Sequence, residues 1–169
     1  MAETIPSGRP LVPLPGAAVF QELAHIDPHR RLNLLPRWTA RFDWLKPNKG
    51  NPAELLMVLR EPGFVRLLPW TPCGEQVRIR YEELAADEGS DDNLEAMRLL
   101  QDSYGRLQVD TEHRPYLGDA ALAHLGISLE RGVRSPVYVV VYPNSLGLLS
   151  VEAREFRLKH AALLDGLPA

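Results

Sequence analysis

Short apolar runs separated by turn residues dominate the pattern of this sequence and predict β-strands. Val19–Ile26 is apolar enough for a strand, and Arg31–Leu35 alternates polar and apolar residues. Leu55–Leu68 contains two apolar runs on either side of a Pro-Gly turn, which predicts a hairpin. The run VYVVVY follows Pro136 and is the first strand of a second predicted hairpin, whose turn begins at Pro143. Because this run is almost continuously apolar, we expect its strand to be buried on both faces.

Between these strands, apolar residues recur at helical spacing and predict short helices. The predicted helices are Arg37–Leu45, Tyr81–Ala86, Asn93–Gln101, Asp119–Gly126 and Val151–Leu164. Asp92 stands directly before the third of them, and its carboxylate is expected to accept hydrogen bonds from the free backbone N–H groups of the first turn. The composition of Lys46–Pro52 predicts a loop.

The predicted elements occur twice in the same order: a strand, an Asp-x-x-x-Arg turn, a second strand, a helix and a hairpin. The residues that correspond, each pair 83 residues apart, are Asp27 and Asp110, Arg31 and Arg114, and Leu34 and Leu117. The agreement in order predicts a tandem repeat. Each copy has too few strands to close its own sheet, so we expect the strands of the two copies to interleave.

The tandem repeat divides the chain into five segments, two of which are the copies themselves. The segments are a flexible, proline-rich arm at residues 1–18, a first half at 19–76, an acidic helical connector at 77–103, a second half at 104–151, and a C-terminal helix and tail at 152–169. The predicted fold class is mostly β with short helices (α+β).

Composition narrows the class of protein. The chain has 169 residues, a net charge of −3 and no long apolar stretch, so we expect no membrane span. The N-terminus lacks the basic start and apolar core of a signal peptide. A single cysteine, Cys73, excludes an internal disulfide and fits a reducing cytoplasm. We therefore expect a cytoplasmic protein.

The first turn and the strand after it carry a family resemblance. Asp27 to Pro36 reads DPHRRLNLLP, and the MraZ family typically has D-x-K-G-R, a short apolar strand and a proline at this place. The chain thus resembles a divergent member of the MraZ family. The resemblance implies two AbrB-like swapped-hairpin halves that form one shared barrel. It also implies double-stranded DNA binding, repression of a division and cell-wall gene cluster, and a homo-oligomer. Arg30 occupies the family's glycine position, and because glycine adopts positive φ most easily, we expect altered turn geometry.

Charge distinguishes the two copies and selects the candidate DNA-binding residues. Between His25 and Lys49 there are six basic and two acidic residues, whereas between Tyr104 and Arg134 there are four of each. A DNA-backbone site needs clustered cations. The candidates are therefore His29, Arg30, Arg31, Arg37 and Arg41. Two alternatives stay open: Arg31 pairs with Asp27 inside its turn, and His29 is an ordinary surface residue. Arg30 is expected to have no structural role.

A second function remains open because of the acidic connector. Seven acidic residues and no basic ones lie between Glu82 and Glu95. This surface would repel DNA or bind a basic partner, so the alternative is an interaction or scaffold protein that retains the fold without DNA binding. The sequence shows no metal-ligand spacing, no phosphate-binding loop and no catalytic motif. We therefore expect no enzyme, no cofactor, no metal site and no small-molecule substrate.

Overall fold

The structure is a computed structural model that describes residues 20–46, 53–87, 90–128, 133–161, 163 and 165–167. The predicted arm at residues 1–18 and all but the first residue of the predicted loop Lys46–Pro52 lie outside the described residues.

A six-stranded antiparallel sheet forms the centre of the protein. Its strands are β1 (Phe20–Ile26), β2 (Ala53–Glu61), β3 (Phe64–Pro69), β4 (Tyr104–Val109), β5 (Ser135–Val141) and β6 (Leu146–Leu149). They lie side by side in the order β1-β5-β6-β3-β2-β4. Both predicted hairpins are confirmed, and Gly63 supplies the positive φ, +67°, that the β2–β3 turn requires.

Strands from the two halves of the sequence interleave within this sheet. β1 pairs with β5, and β4 pairs with β2, so each single strand lies against the hairpin of the other half. The two hairpins meet in the centre through β3 and β6. Counted inward from either edge, the sheet has first a single strand, then the first strand of a hairpin and then its second strand. The two halves of the sheet are therefore equivalent.

The sheet is not closed, and in this respect it differs from the predicted barrel. β1 and β4 lie at opposite edges of the strand order. The segments that follow their turns form only isolated bridges, Ile26–Leu32, Arg31–Tyr116 and Val109–Pro115. The predicted strand Arg31–Leu35 is thus reduced to two bridged residues. Pro115 has no N–H to donate and Pro36 begins a helix, so neither segment extends its ladder.

The main hydrophobic core lies on one face of the sheet. Alternate residues of the central strands, such as Val65 and Leu67, point into it together with Ile26 and Leu148, and all four are fully buried. The short helices that follow the two turns cover this face. The opposite face carries two smaller clusters, one around Leu56 and Leu68 and one around Phe64, Val140 and Leu149. β5 is buried on both faces, as predicted.

In the described part of the chain, more residues lie in helices than in strands, so the fold is mixed α+β rather than mostly β. The helices are α1 (Pro36–Arg41), α2 (Glu75–Ala86), α3 (Asp91–Ser103), α4 (Asp119–His124) and α5 (Val151–Ala161). No helix in the described part of the chain is long and apolar enough to cross a membrane.

Two details of the predicted helices are wrong. The helix predicted at Arg37–Leu45 ends at Arg41, because Phe42 has an extended backbone and buries its ring before a short 3-10 turn, Asp43–Leu45. The cap of α3 is Ser90 rather than Asp92: the Ser90 hydroxyl accepts a hydrogen bond from the Asn93 N–H at 3.3 Å. Asp92 instead lies within the first turn of the helix.

Candidate nucleic-acid interface

The first turn is held by the carboxylate of Asp27. Its Oδ1 accepts hydrogen bonds from the backbone N–H groups of His29, at 2.9 Å, and Arg31, at 3.0 Å. The backbone of Asp27 also donates to the Arg31 carbonyl at 2.9 Å and accepts from the Arg30 N–H at 3.0 Å. Four hydrogen bonds therefore fix a five-residue turn, which agrees with the ability of aspartate to bond to backbone groups that follow it.

The second turn repeats this arrangement bond for bond. Oδ1 of Asp110 accepts from the N–H groups of Glu112 and Arg114, both at 2.9 Å. The Asp110 N–H donates to the Arg114 carbonyl, and the His113 N–H donates to the Asp110 carbonyl, each at 3.0 Å. Every donor and acceptor lies 83 residues after its counterpart in the first turn. The two Asp-x-x-x-Arg segments thus form the same local structure.

Both turns reach the left-handed backbone conformation without glycine. Arg30 has φ +68° and His113 has φ +62°, and these residues occupy equivalent positions. The expectation that loss of glycine alters the turn is therefore wrong. A non-glycine residue in this region costs about 1–2 kcal/mol. The hydrogen bonds to the aspartate on each turn offset that cost.

The two turns lie side by side and make direct backbone contacts. The Leu32 N–H donates to the Pro115 carbonyl at 2.9 Å, and the Leu117 N–H donates to the Arg30 carbonyl at 2.7 Å. Arg31 and Tyr116 form a bridge. We call residues 27–32 and 110–117 the paired-turn surface. Its side chains therefore come from both halves of the sequence, and the charge of one turn acts on the other.

Arg30 has a structural contact, contrary to the prediction. Its guanidinium forms an ion pair with Asp119, the first residue of α4. The hydrogen bond and the charge of Asp119 raise the pKa of Arg30 above its ordinary value. The Asp119 side chain is 89% exposed, so water screens the pair and it contributes little to stability.

Arg31 pairs across the two turns rather than within its own. Its Nε lies 3.6 Å from Oδ2 of Asp110, so the predicted Asp27–Arg31 side-chain pair is not the one formed. Arg114 Nε donates to the same oxygen at 3.0 Å, and Arg114 also pairs with Glu112 at 2.5 Å. Asp110 therefore pairs with both turn arginines, whereas the Asp27 carboxylate bonds, among the described residues, only to backbone N–H groups of its own turn.

Arg37 contacts two residues of β1. It pairs with Glu22 at 2.5 Å, and its guanidinium lies over the rings of Phe20, at 4.9 Å, and Trp38, at 4.6 Å. The Glu22 carboxylate is only 12% exposed and also accepts the indole N–H of Trp38. These contacts assign Arg37 a packing role, because its removal would leave a largely buried carboxylate with one partner fewer.

Arg41 and His29 form no ion pair among the described residues. Both are exposed, and the guanidinium of Arg41 lies 5.7 Å from the centroid of the Phe42 ring. Arg41 has no carboxylate within ion-pair distance in the part of the chain that the structure describes. His29 lies at the tip of the first turn beside exposed Pro28.

The paired-turn surface is neutral, although the first copy taken along the sequence is basic. Its arginines are Arg30, Arg31 and Arg114, and its carboxylates are Asp27, Asp110 and Glu112. Folding brings carboxylates of β1 and the second half next to first-half arginines. Sequence reasoning missed Glu22 and Asp119, and Asp119 lies 89 residues from its partner, where no local pattern connects the two.

The remaining candidates are a metal site and the single cysteine. The described residues contain no group of three or more histidine, cysteine or acidic side chains that could hold a metal ion. Cys73 is buried, and burial raises the pKa of its thiol, which keeps it protonated and unreactive at neutral pH. No protein-family model matches this chain, and no curated protein sequence matches it.

Proposed function

We propose that the protein is a DNA-binding transcriptional regulator resembling MraZ, and that it binds double-stranded DNA through the paired-turn surface. One observation carries this proposal: the two Asp-x-x-x-Arg turns keep the same four hydrogen bonds and lie side by side. The resemblance extends the proposal to repression of a division and cell-wall gene cluster.

The ion pairs at this surface are compatible with phosphate binding. The pair between Arg30 and Asp119 is exposed, so water screens it and little stability is lost when it breaks. A DNA phosphate can replace the Asp119 carboxylate as the partner of the guanidinium, because arginine binds both groups through the same planar fork. Release of counterions from DNA adds to the gain. Arg30 can therefore exchange its partner at low cost.

The proposed contacts are fewer than the sequence suggested. The proposed DNA contacts are Arg30 and His29 of the paired-turn surface and Arg41 at the end of α1, because they are exposed or weakly paired. Arg31 supports the turns through Asp110, and Arg37 supports β1 through Glu22. Each subunit thus offers few phosphate contacts, so we propose that several subunits combine to give useful affinity.

We further propose that the two halves are AbrB-like swapped hairpins that share one barrel. The pairing of β1 with the second hairpin and of β4 with the first supports this proposal. The equivalent structure of the two turns supports it as well. Three isolated bridges connect the two edge strands through the turns: Ile26–Leu32, Arg31–Tyr116 and Val109–Pro115. In such a barrel, these bridges would be the contacts that close the sheet.

The alternative is an interaction or scaffold protein that retains this fold and does not bind DNA. The neutral charge of the paired-turn surface favours it, because a DNA site needs an excess of cations. The acidic connector favours it as well: α2 and α3 carry eight acidic and three basic residues within 75–87 and 90–103. Salt-sensitive binding to double-stranded DNA is expected of the regulator and not of the scaffold protein.

For the regulator, we expect Arg30→Ala and Arg41→Ala to weaken binding to all double-stranded fragments. When log K for binding is plotted against log salt concentration, loss of one phosphate contact should make the slope shallower by about one unit. Asp119→Asn should strengthen binding, because it frees Arg30. Fluorescence anisotropy with genomic fragments at two salt concentrations measures these effects, and sequencing of DNA recovered in pull-downs identifies the operator.

Arg98→Ala is the matched control, because Arg98 is an exposed arginine on α3 in a similar exposed pair with Glu95. It should leave DNA binding unchanged. Arg37→Ala should lower the melting temperature, since it breaks the contacts with Glu22 and Trp38. If the wild-type protein shows no salt-sensitive binding to any fragment, the regulator is excluded and the scaffold function takes its place.

Self-association and a cytoplasmic location are part of the same proposal. A homo-oligomer would repeat the small paired-turn surface and raise avidity without new contacts. Light scattering at micromolar concentrations should detect a species larger than the 18.9 kDa chain. A single species of 18.9 kDa at every concentration would contradict the oligomer and weaken the case for DNA binding.

A further inference from the structure

A second cluster of cationic side chains lies on the sheet face opposite the main core. Val65 and Leu67 of β3 point into that core, so Arg66 between them points to the other side, with Phe64 and Leu68. The Arg66 side chain is only 14% exposed. Its Nε is buried and has no hydrogen-bond partner among the described residues. A largely buried guanidinium with an unused donor is costly.

Arg157 of α5 approaches the same place. Its guanidinium lies 5.5 Å from the centroid of the Phe64 ring, and that of Arg66 lies 5.9 Å from the same centroid. Glu61 is their shared carboxylate, at 3.9 Å from Arg66 and 3.2 Å from Arg157. Two arginines thus share one half-exposed acid, and the cluster has a net charge of +1.

Tyr142 completes the cluster from the end of β5. Its ring packs edge-on against Phe64, with centroids 6.4 Å apart. Burial raises the pKa of the Tyr142 hydroxyl, while the charges of Arg66 and Arg157 oppose that rise. The hydroxyl is therefore a protonated donor, and its ring packs against the same Phe64 ring as both guanidiniums. Donors predominate in this cluster, and Glu61 is the one anionic acceptor that the described residues bring to it.

We propose that Arg66, Arg157 and Tyr142 form a binding site for a phosphate group, on the face of the sheet opposite the main core. Phosphate offers several acceptor oxygens and up to two negative charges, which suit two planar guanidiniums and a hydroxyl. Glu61 holds the arginines when the site is empty and is displaced by the ligand. The site is separate from the paired-turn surface and does not depend on DNA binding.

Calorimetric titration of the full-length protein with inorganic phosphate, at ionic strength kept constant with sodium chloride, tests this site. We expect saturable binding of one phosphate per chain. Arg157→Ala should weaken it at least about tenfold, since each charge-assisted hydrogen bond contributes strongly. Glu61→Gln should strengthen it about twofold to fivefold, because an exposed competing ion pair is removed. Phenyl phosphate distinguishes the source: tighter binding than inorganic phosphate indicates a phosphate carried on a larger molecule.

Arg154→Ala is the control on the same helix. Arg154 donates to Gln21 at 3.0 Å and lies over Tyr138, outside the Glu61 cluster, so its removal should not change phosphate affinity. Arg66→Ala can fail to fold, and Arg157→Ala, which alters an exposed residue, keeps the test valid. Heat that rises linearly without saturation, or equal losses in Arg157→Ala and Arg154→Ala, would overturn the proposal.

Discussion

Neither residues 1–89 nor residues 90–169 should fold as a stable monomer when produced alone. The first fragment keeps β1, β2 and β3 but loses β5, the one strand in the described sheet that pairs with β1. The second keeps β4 but loses β2, its partner. Each fragment would also expose the apolar centre of the sheet, where Leu67 of β3 meets Leu146 of β6. Unpaired strands and exposed apolar surface leave too little buried area to offset the loss of chain entropy.

The two fragments should recover the fold when they are mixed. Interleaving means that the connection between α2 and α3 is not needed to position any strand, so a 1:1 complex can rebuild the whole sheet. Circular dichroism should show a cooperative melt for the mixture and none for either fragment, and native mass spectrometry should detect the complex.

Intact protein cut once between α2 and α3 serves as the control and should stay folded. A homodimer of one fragment would remain consistent with interleaving, because a second copy supplies an equivalent hairpin. A monomeric fragment with its own cooperative melt would contradict it.

Local features of this fold could be predicted from the sequence. Both hairpins follow from apolar runs on either side of a turn, and the burial of β5 on both faces follows from its continuous apolar run. The Asp-x-x-x-Arg turns are also local features, because aspartate bonds to backbone groups a few residues away. Each of these features is determined by residues within about ten positions of one another.

The interleaving of strands could be predicted from the repeat, but the partners of individual charged side chains could not. The charge count from His25 to Lys49 made the first half basic, but it left out Glu22, which pairs with Arg37. It also left out Asp119, which reaches Arg30 only because the two halves meet. Likewise, Arg31 pairs with Asp110 rather than with its neighbour Asp27, because the two turns lie side by side. Topology sets these partners, and no spacing in the sequence encodes them.

Asp110→Ala should destabilise the protein more than Asp27→Ala, although the two residues occupy equivalent positions. Both carboxylates accept two backbone N–H groups, and loss of these acceptors leaves the donors of the turn unsatisfied. Asp110 alone also receives Arg31 and Arg114. We expect the free energy of unfolding to fall by about 2–4 kcal/mol for Asp110→Ala and by about 1–2 kcal/mol for Asp27→Ala. Urea denaturation at pH 7 measures both.

The pH dependence of the Asp110 contribution provides an independent check. Burial raises the pKa of Asp110, but hydrogen bonds from the Arg114 and Glu112 backbone and the charge of Arg114 lower it, and the net pKa lies below its ordinary value. A carboxyl group whose pKa is lower in the folded state stabilises the protein above its unfolded pKa of about 4. That stabilisation is lost as the pH falls through the lower, folded pKa. The stability difference between the wild type and Asp110→Asn should therefore be constant from pH 7 to 5 and shrink below pH 4. A difference that stays unchanged down to pH 3 would show that the charge of Asp110 contributes nothing, and that its role is limited to accepting backbone hydrogen bonds.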